Sequence, residues 1–137
     1  MKKSAGVIVK VGDKCLLCKR NALESHAGEW SIPGGKMELG EDEVETAHRE
    51  FFEETNLELT RPLDFVGVIK RMNRDGTKQK GVMYVFSTEH DEEVLPDLEN
   101  AKDGEEHSEC GYFGVEDLPK PMNNIFNEMI SNFLNRK

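Results

Sequence analysis

Apolar and β-branched residues crowd positions 4–11 and again 14–19, with Gly12 and Asp13 between them. Two such runs separated by a two-residue turn former predict a β-hairpin. From 21 to 40 the pattern gives way to turn formers, among them Pro33, Gly34, Gly35 and Gly40. A long ordered loop is expected there, with a short extended piece around Trp30, Ser31 and Ile32. Residues 42–55 hold neither Gly nor Pro and place Val44, Ala47 and Phe51 on one stripe, the spacing of an amphipathic helix. Residues 63–72 and 81–88 read as strands joined through the turn sequence Asn73-Arg74-Asp75-Gly76. Residues 89–109 are acidic and aperiodic, which predicts a long functional or mobile loop, and 110–115 read as a last strand. Ile125, Met129, Ile130, Phe133 and Leu134 then fall at helical spacing near the C-terminus. Hairpins interleaved with two helices predict an α/β fold, a mixed sheet packed between helices, with residues 1–137 as one domain.

Composition narrows the function. The chain is 36% apolar and 33% charged with a formal net charge of -9. At this length a folded core needs no metal or disulfide, so a metal would serve chemistry. No apolar run approaches the roughly 20 residues that span a bilayer, and neither an anchor nor a secretory leader is expected. Three cysteines, Cys15, Cys18 and Cys110, match no disulfide framework and point to a reducing compartment, the cytoplasm. Cys15 and Cys18 are three apart in a predicted strand, so they face opposite sides and make a poor zinc pair. The acidic balance argues against extended nucleic-acid binding, which relies on Lys and Arg neutralising phosphates. A phosphate-bearing ligand would then need positive charge from elsewhere, such as divalent cations held by carboxylates.

The stretch GGKMELGEDEVETAHREFFEETNL, residues 34–57, can supply those carboxylates. On a helix at 100° per residue Glu50, Glu53 and Glu54 fall within about a third of the circumference, on a stripe read as lying away from the core stripe. Crowding like charges one turn apart is locally unfavourable and calls for a compensating cation. Arg49 reaches Glu53 at i, i+4, leaving the other carboxylates as hard oxygen ligands for magnesium or manganese. Glu41 stands at the helix entrance, and Gly34 and Gly35 allow close approach of backbone to a ligand. An acidic stripe alone is ordinarily a solvated face, and Pro-Gly-Gly alone is a turn. The joint spacing changes that: Gly35, five residues, Glu41, seven residues, Arg49-Glu50, then Glu53-Glu54.

In those positions the chain resembles the Nudix hydrolases, whose box reads G-x5-E-x7-R-E-U-x-E-E-x-G-U with U a bulky apolar residue. A chance match over a chain of this length is on the order of 10^-5 from composition. Phe51 fills a usually aliphatic position, and Asn56 stands where the final Gly belongs; Asn is the next best residue for a left-handed helix end. SAGVIV, Lys19-Arg20, GEWSIPGG and EHSECGYFGVEDLP extend the resemblance over most of the chain. It implies an α/β/α sandwich around a mixed sheet and a metal-dependent pyrophosphohydrolase. The substrate implied is a nucleoside diphosphate derivative of the ADP-ribose, dinucleotide or nucleotide-sugar type. A house-cleaning nucleoside triphosphate pyrophosphohydrolase and a non-catalytic nucleotide-binding module are the alternatives. By the same resemblance Glu50, Glu53 and Glu54 bind Mg2+ or Mn2+, Arg49 orients Glu53, and Glu41 binds or assists through water. The general base is Glu53 or Glu54 first, then Glu106 or Glu109.

Among cations, Arg20, Arg71, Arg74, Lys78 and Lys80 are candidates for phosphate contacts. Most are expected to be solvated surface, and Arg20, near the loop into the box, is the one singled out for the substrate along with Gly34 and Gly35. His26 is expected to be an exposed loop residue, Trp30 a core anchor, and Tyr112 and Phe113 to face opposite sides of a strand. Substrate choice is assigned to residues 21–29, 89–109 and the C-terminal segment. A homodimer is compatible with the sequence but is not read from it.

Overall fold

The computed structural model describes residues 1–22, 24 and 26–136; Leu23 and Ser25 of the 21–29 loop and the terminal Lys137 lie outside the described residues. Two helices cover opposite faces of a seven-stranded mixed sheet, as the sequence predicts. Strands β1 (Lys2–Val11) and β2 (Lys14–Arg20) meet through the Gly12-Asp13 turn, where Gly12 takes φ 63°. Their pairing is short, Lys10 with Cys15 and Val11 with Lys14. Beyond it β1 exchanges partners: Ser4, Ala5 and Gly6 pair with β4 (Gly34–Lys36). Its other edge runs parallel to β6 (Gln79–Glu89) from Lys2↔Gly81 to Lys10↔Glu89. The sheet therefore forks at β1, with β2 carrying β3 (Trp30–Ser31) and β7 (His107–Gly114) on one arm. β5 (Asp64–Met72) pairs with β6 at the outer edge.

Two expectations are corrected here. The 21–40 segment is not wholly loop outside Trp30-Ser31, because β4 lies within it. A Cβ on Gly34 would sit 2.4 Å from the Ala5 carbonyl oxygen, so only glycine lets the two backbones approach. A turn-former count reads that glycine as a breaker when it is the condition for pairing. The last strand also starts at His107 rather than at residue 110, and a 3-10 turn at Gly104–Glu106 ends the acidic loop.

Period-two alternation divides the core between the faces. Ile8, Cys15, Leu17, Ile69 and Val85 pack under α2 (Asn124–Leu134), which contributes Phe126, Ile130 and Leu134. Val7, Val9, Leu16, Cys18 and Phe86 pack under α1 (Glu43–Thr55) against Ala47 and Phe51. Cys15 and Cys18 thus face opposite sides as expected; the Cys15 thiol is buried and pushed up to about 12. Cys18, however, is paired with Cys110 in a disulfide across β2 and β7, against the expectation of no disulfide. Local spacing gives no hint of a partner 92 residues away, which only the register of two strands supplies. Trp30 is buried edge-on to Phe113, centroids 5.2 Å apart, while Tyr112 turns to the other face and donates to the Val94 carbonyl at 2.7 Å. No helix among the described residues is long and apolar enough to cross a membrane.

Candidate active site

α1 begins where Asp42 accepts the Glu45 N–H at 2.8 Å while the Glu45 carboxylate accepts the Asp42 N–H at 3.0 Å. This reciprocal capping box satisfies two helix-end donors and fixes the first turn just after Glu41. The helix ends at Asn56 in the left-handed conformation, φ 59°, whose N–H donates to the Phe52 carbonyl, so Asn serves where Gly was expected. Phe51 and Ala47 are buried, and burying one Phe contributes roughly 1.5–3 kcal/mol. The expected core stripe needs two corrections. Val44, in the first turn of the helix, is 43% exposed. Glu54 belongs to the buried stripe: seven residues after Ala47 it returns to the same side and is only 1% exposed.

Arg49 organises the acidic cluster more broadly than through Glu53 alone. Its Nη1 donates to Glu50 Oε1 and Glu53 Oε1, each at 2.9 Å. Nε donates to Glu41 Oε2 at 2.6 Å, while Nη2 donates to Glu41 Oε1 at 3.0 Å and to the Lys36 carbonyl at 2.8 Å. One planar fork therefore ties the helix to the loop and to β4, which a lysine cannot do. Its hydrogen bond to Glu41, joined by the Glu38 N–H, lowers the Glu41 pKa to about 2. Gly35 faces this cluster: a Cβ there would lie 2.3 Å from the Glu50 carboxyl carbon. Gly34 and Gly35 thus serve two different contacts, one with β1 backbone and one with a box carboxylate.

Behind the cluster, Glu54 Oε1 meets His107 Nε2, both side chains 1% exposed. Burial, then the charges of Glu106 and Glu50, raises the Glu54 pKa well above the carboxylate range, with Arg20 opposing. Burial and the Arg20 charge lower His107 to about 4. Burial thus disfavours the charged form of both groups where they meet. Glu54 Oε2 is buried without a hydrogen-bond partner. Glu106 arrives from the acidic loop, which is pinned to α1 where Asp97 N–H donates to Thr55 O at 2.9 Å and Asp103 N–H to Glu53 O at 2.7 Å. Burial, with the charges of Asp103 and Glu24, pushes Glu106 up to about 6.

Among the residues predicted for the site, the structure joins Arg49 to Glu41, Glu50 and Glu53, and sets Gly35, Glu54, Glu106 and Arg20 around them. Glu109 is not brought in; it pairs with Lys19 at 3.9 Å on the surface. His107 went unnoticed in the sequence, although its place at the head of an alternating β7 could have marked it as inward-facing. His26 is exposed and lies 3.0 Å from Glu29, in keeping with its bland reading.

The donor set suits a hard divalent cation. Glu54 offers an unpartnered buried oxygen, and Gly35 leaves the Glu50 carboxylate a place that any larger residue would fill. Among the described residues no three acidic, His or Cys side chains converge as a ready metal cage, since Arg49 draws Glu41, Glu50 and Glu53 to itself.

A forked mixed sheet between two helices, with an arginine-clamped carboxylate row on the inner helix, defines the class of Nudix folds. The chain belongs to the Nudix family, whose NUDIX domain model matches residues 1–133. The crystal structure of a MutT NUDIX hydrolase from Burkholderia pseudomallei superposes with TM-score 0.78 at 23% identity, covering 94% of this chain and 95% of that one. The NUDIX domain of Shewanella oneidensis NrtR, solved in complex with ADP ribose, superposes with TM-score 0.73 at 15% identity, over 97% and 88% of the two chains. Nudix hydrolase 3 of Caenorhabditis elegans is 53% identical over 49 residues, 35% of this chain and 20% of that protein. The match thus spans about a fifth of that relative's length.

Proposed function

We propose that this protein is a metal-dependent pyrophosphohydrolase that cleaves a nucleoside diphosphate derivative by water attack on a phosphoanhydride. The observation that carries the reading is the Arg49 fork, which holds Glu41, Glu50 and Glu53 beside the buried, half-satisfied Glu54. A merely solvated acidic face would have no use for a buried carboxylate with an unpaired oxygen. The ADP ribose held by the Shewanella domain supports the substrate class.

Glu50, Glu53 and Glu54 would hold magnesium or manganese, with Glu41 assisting through water. When bound, such cations withdraw charge from phosphate oxygens and acidify a water molecule. Arg49 keeps the carboxylates in place, so little reorganisation is needed as charge develops. Glu106 is suited to take the proton: its pKa, raised to about 6, puts a general base near neutral operating pH. Arg20, whose charge reaches Glu54, Glu106 and His107, offers a guanidinium for a phosphate oxygen.

The test is product analysis of the purified protein with magnesium and with chelator, against ADP-ribose, dinucleotides, nucleotide sugars and nucleoside triphosphates. Two organic phosphates from a linked diphosphate are expected. Pyrophosphate and a monophosphate from a triphosphate would assign the house-cleaning reaction instead. Glu53→Gln should abolish turnover without unfolding; undiminished activity in that variant sinks the metal-site reading, and binding without hydrolysis under every metal condition leaves a nucleotide-binding module.

A further inference from the structure

Along β7, Cys110 and Tyr112 pack on the α1 side of the sheet while Phe113 packs on the α2 side. Strict period-two alternation would put His107 with Phe113, under α2. The register prevents it: Lys19 pairs with Glu109 but Arg20 pairs with His107, so Ser108 is an extra residue without a partner on β2. This bulge carries His107 to the face of Cys18, where α1 packs. The chain just before the bulge is held as well. The His107 N–H donates to the Gly104 carbonyl, while Asn21 donates its N–H to the Glu106 carbonyl at 2.9 Å and its Nδ2–H to the Glu105 carbonyl at 2.8 Å. A bulge gives up a ladder pair and re-aims a side chain. Here the side chain re-aimed is an imidazole, 1% exposed against Glu54.

His107 meets Glu54 at one oxygen, Nε2 against Oε1, and among the described residues Oε2 is buried with no hydrogen-bond partner. The carboxylates whose charges act on Glu54, Glu106 and Glu50, are acceptors only when ionised. A buried carboxylate that served stability alone would have both oxygens satisfied. An imidazole tautomer that donates Nε2–H to Oε1 occupies that oxygen, stops rotation of the carboxyl plane and leaves Oε2 for a cation.

We propose that His107, turned toward α1 by the Ser108 bulge, is a positioning residue: through its hydrogen bond to Oε1 it holds Glu54 with Oε2 directed at a divalent cation. The assignment rests on the metal-dependent hydrolase reading above. It places a determinant of metal affinity outside the Nudix box, 53 residues along the chain from the carboxylate it serves. In this role His107 acts through Glu54 and is not itself a ligand.

Direct binding of Mn2+ to the full chain, without substrate and with free ion counted by electron paramagnetic resonance, tests it in three variants. The amide nitrogen of Gln falls near the place of Nε2, whereas that of Asn falls near Nδ1 and does not reach Oε1; Leu has no donor. His107→Asn and His107→Leu should raise the Mn2+ Kd about 10–100-fold, the effect of losing the outer partner of a metal ligand, and His107→Gln less than about threefold. The magnesium concentration for half-maximal turnover should rise by the same factor, with KM for the cleaved substrate within about twofold. Should His107→Leu fail to fold, the smaller polar Asn carries the test. Wild-type Mn2+ affinity in folded His107→Asn, with only Tm lowered, would overturn the proposal and leave a packing pair. Equal weakening in Gln and Asn would overturn it too, because reach to Oε1 would then be irrelevant. In both cases metal-dependent turnover by the wild type keeps the hydrolase reading; a wild type with neither Mn2+ binding nor turnover would end both.

Discussion

Replacing Gly35 with alanine separates the site from the fold. The new Cβ would lie 2.3 Å from the Glu50 carboxyl carbon and 2.8 Å from Oε1, where ordinary contact begins at 3.4 Å. The carboxylate must retreat by about 1 Å, which breaks the 2.9 Å bond from Arg49 Nη1. Losing one hydrogen bond to a charged group removes about 1.5–3 kcal/mol, and the stiffer unfolded chain of an alanine returns about 0.4–1 kcal/mol. The net loss of about 0.5–2.6 kcal/mol lowers Tm by roughly 2–9 °C in a domain of this size. Turnover should fall much further, about a hundredfold, because a 1 Å displacement at the reacting centre has that effect. Differential scanning calorimetry gives the first quantity and kcat/KM at saturating magnesium the second. Gly34→Ala, whose Cβ meets immovable β1 backbone instead of a side-chain end, should prevent folding at the same level of expression. Wild-type kcat/KM in Gly35→Ala would refute the reasoning, since Glu50 would then have no part in catalysis.

Arg49→Lys should reduce stability by about 1–3 kcal/mol in urea titration and reduce kcat at least a hundredfold, because one ammonium cannot serve Glu41, Glu50 and Glu53 together. Glu54 carries a raised pKa, so its contribution is fully present below the unfolded value of 4.5 and declines as pH rises through the folded one. Glu54→Gln should therefore have the higher Tm at pH 8 in chelator, and added magnesium should raise Tm of the wild type only. His107 is lowered from 6.5 to about 4, so the unfolded chain binds its proton first as pH falls, and stability is lost between those values. His107→Gln should flatten the pH dependence of urea midpoints across that window; an unchanged slope contradicts the buried neutral histidine.

Elements with their own period were legible: both hairpins, α1 and α2 follow from alternation, helical spacing and turn formers. The Nudix box was legible too, because Arg49, Glu50, Glu53 and Glu54 sit on one helix whose geometry fixes their spacing. What escaped was decided by the chain's return from far away. β4 is visible only once β1 lies beside Gly34, and the Cys18–Cys110 disulfide depends on β7 reaching β2. Glu54 was read as part of an outward stripe, yet residue counting from Ala47 already put it inside; charge misled where angle would not. Arg71, half-buried with its guanidinium carbon 5.9 Å from the Phe126 ring centroid, could not be distinguished from its solvated neighbours because Phe126 comes from another element.

The fork at β1 also bears on how the protein is made. β1 is synthesised well before its parallel partner β6, which follows more than half the length of this sequence later. Parallel pairing of such distant segments raises contact order and slows folding. α1, which packs on β1, is synthesised long before that strand has both neighbours, so its acidic row is assembled late. A nascent chain stalled before residue 79 would hold every residue of the Nudix box and still lack the sheet on which the box rests. Completion of the site thus waits on the segment from residue 79 onward, although its best-recognised residues come before it.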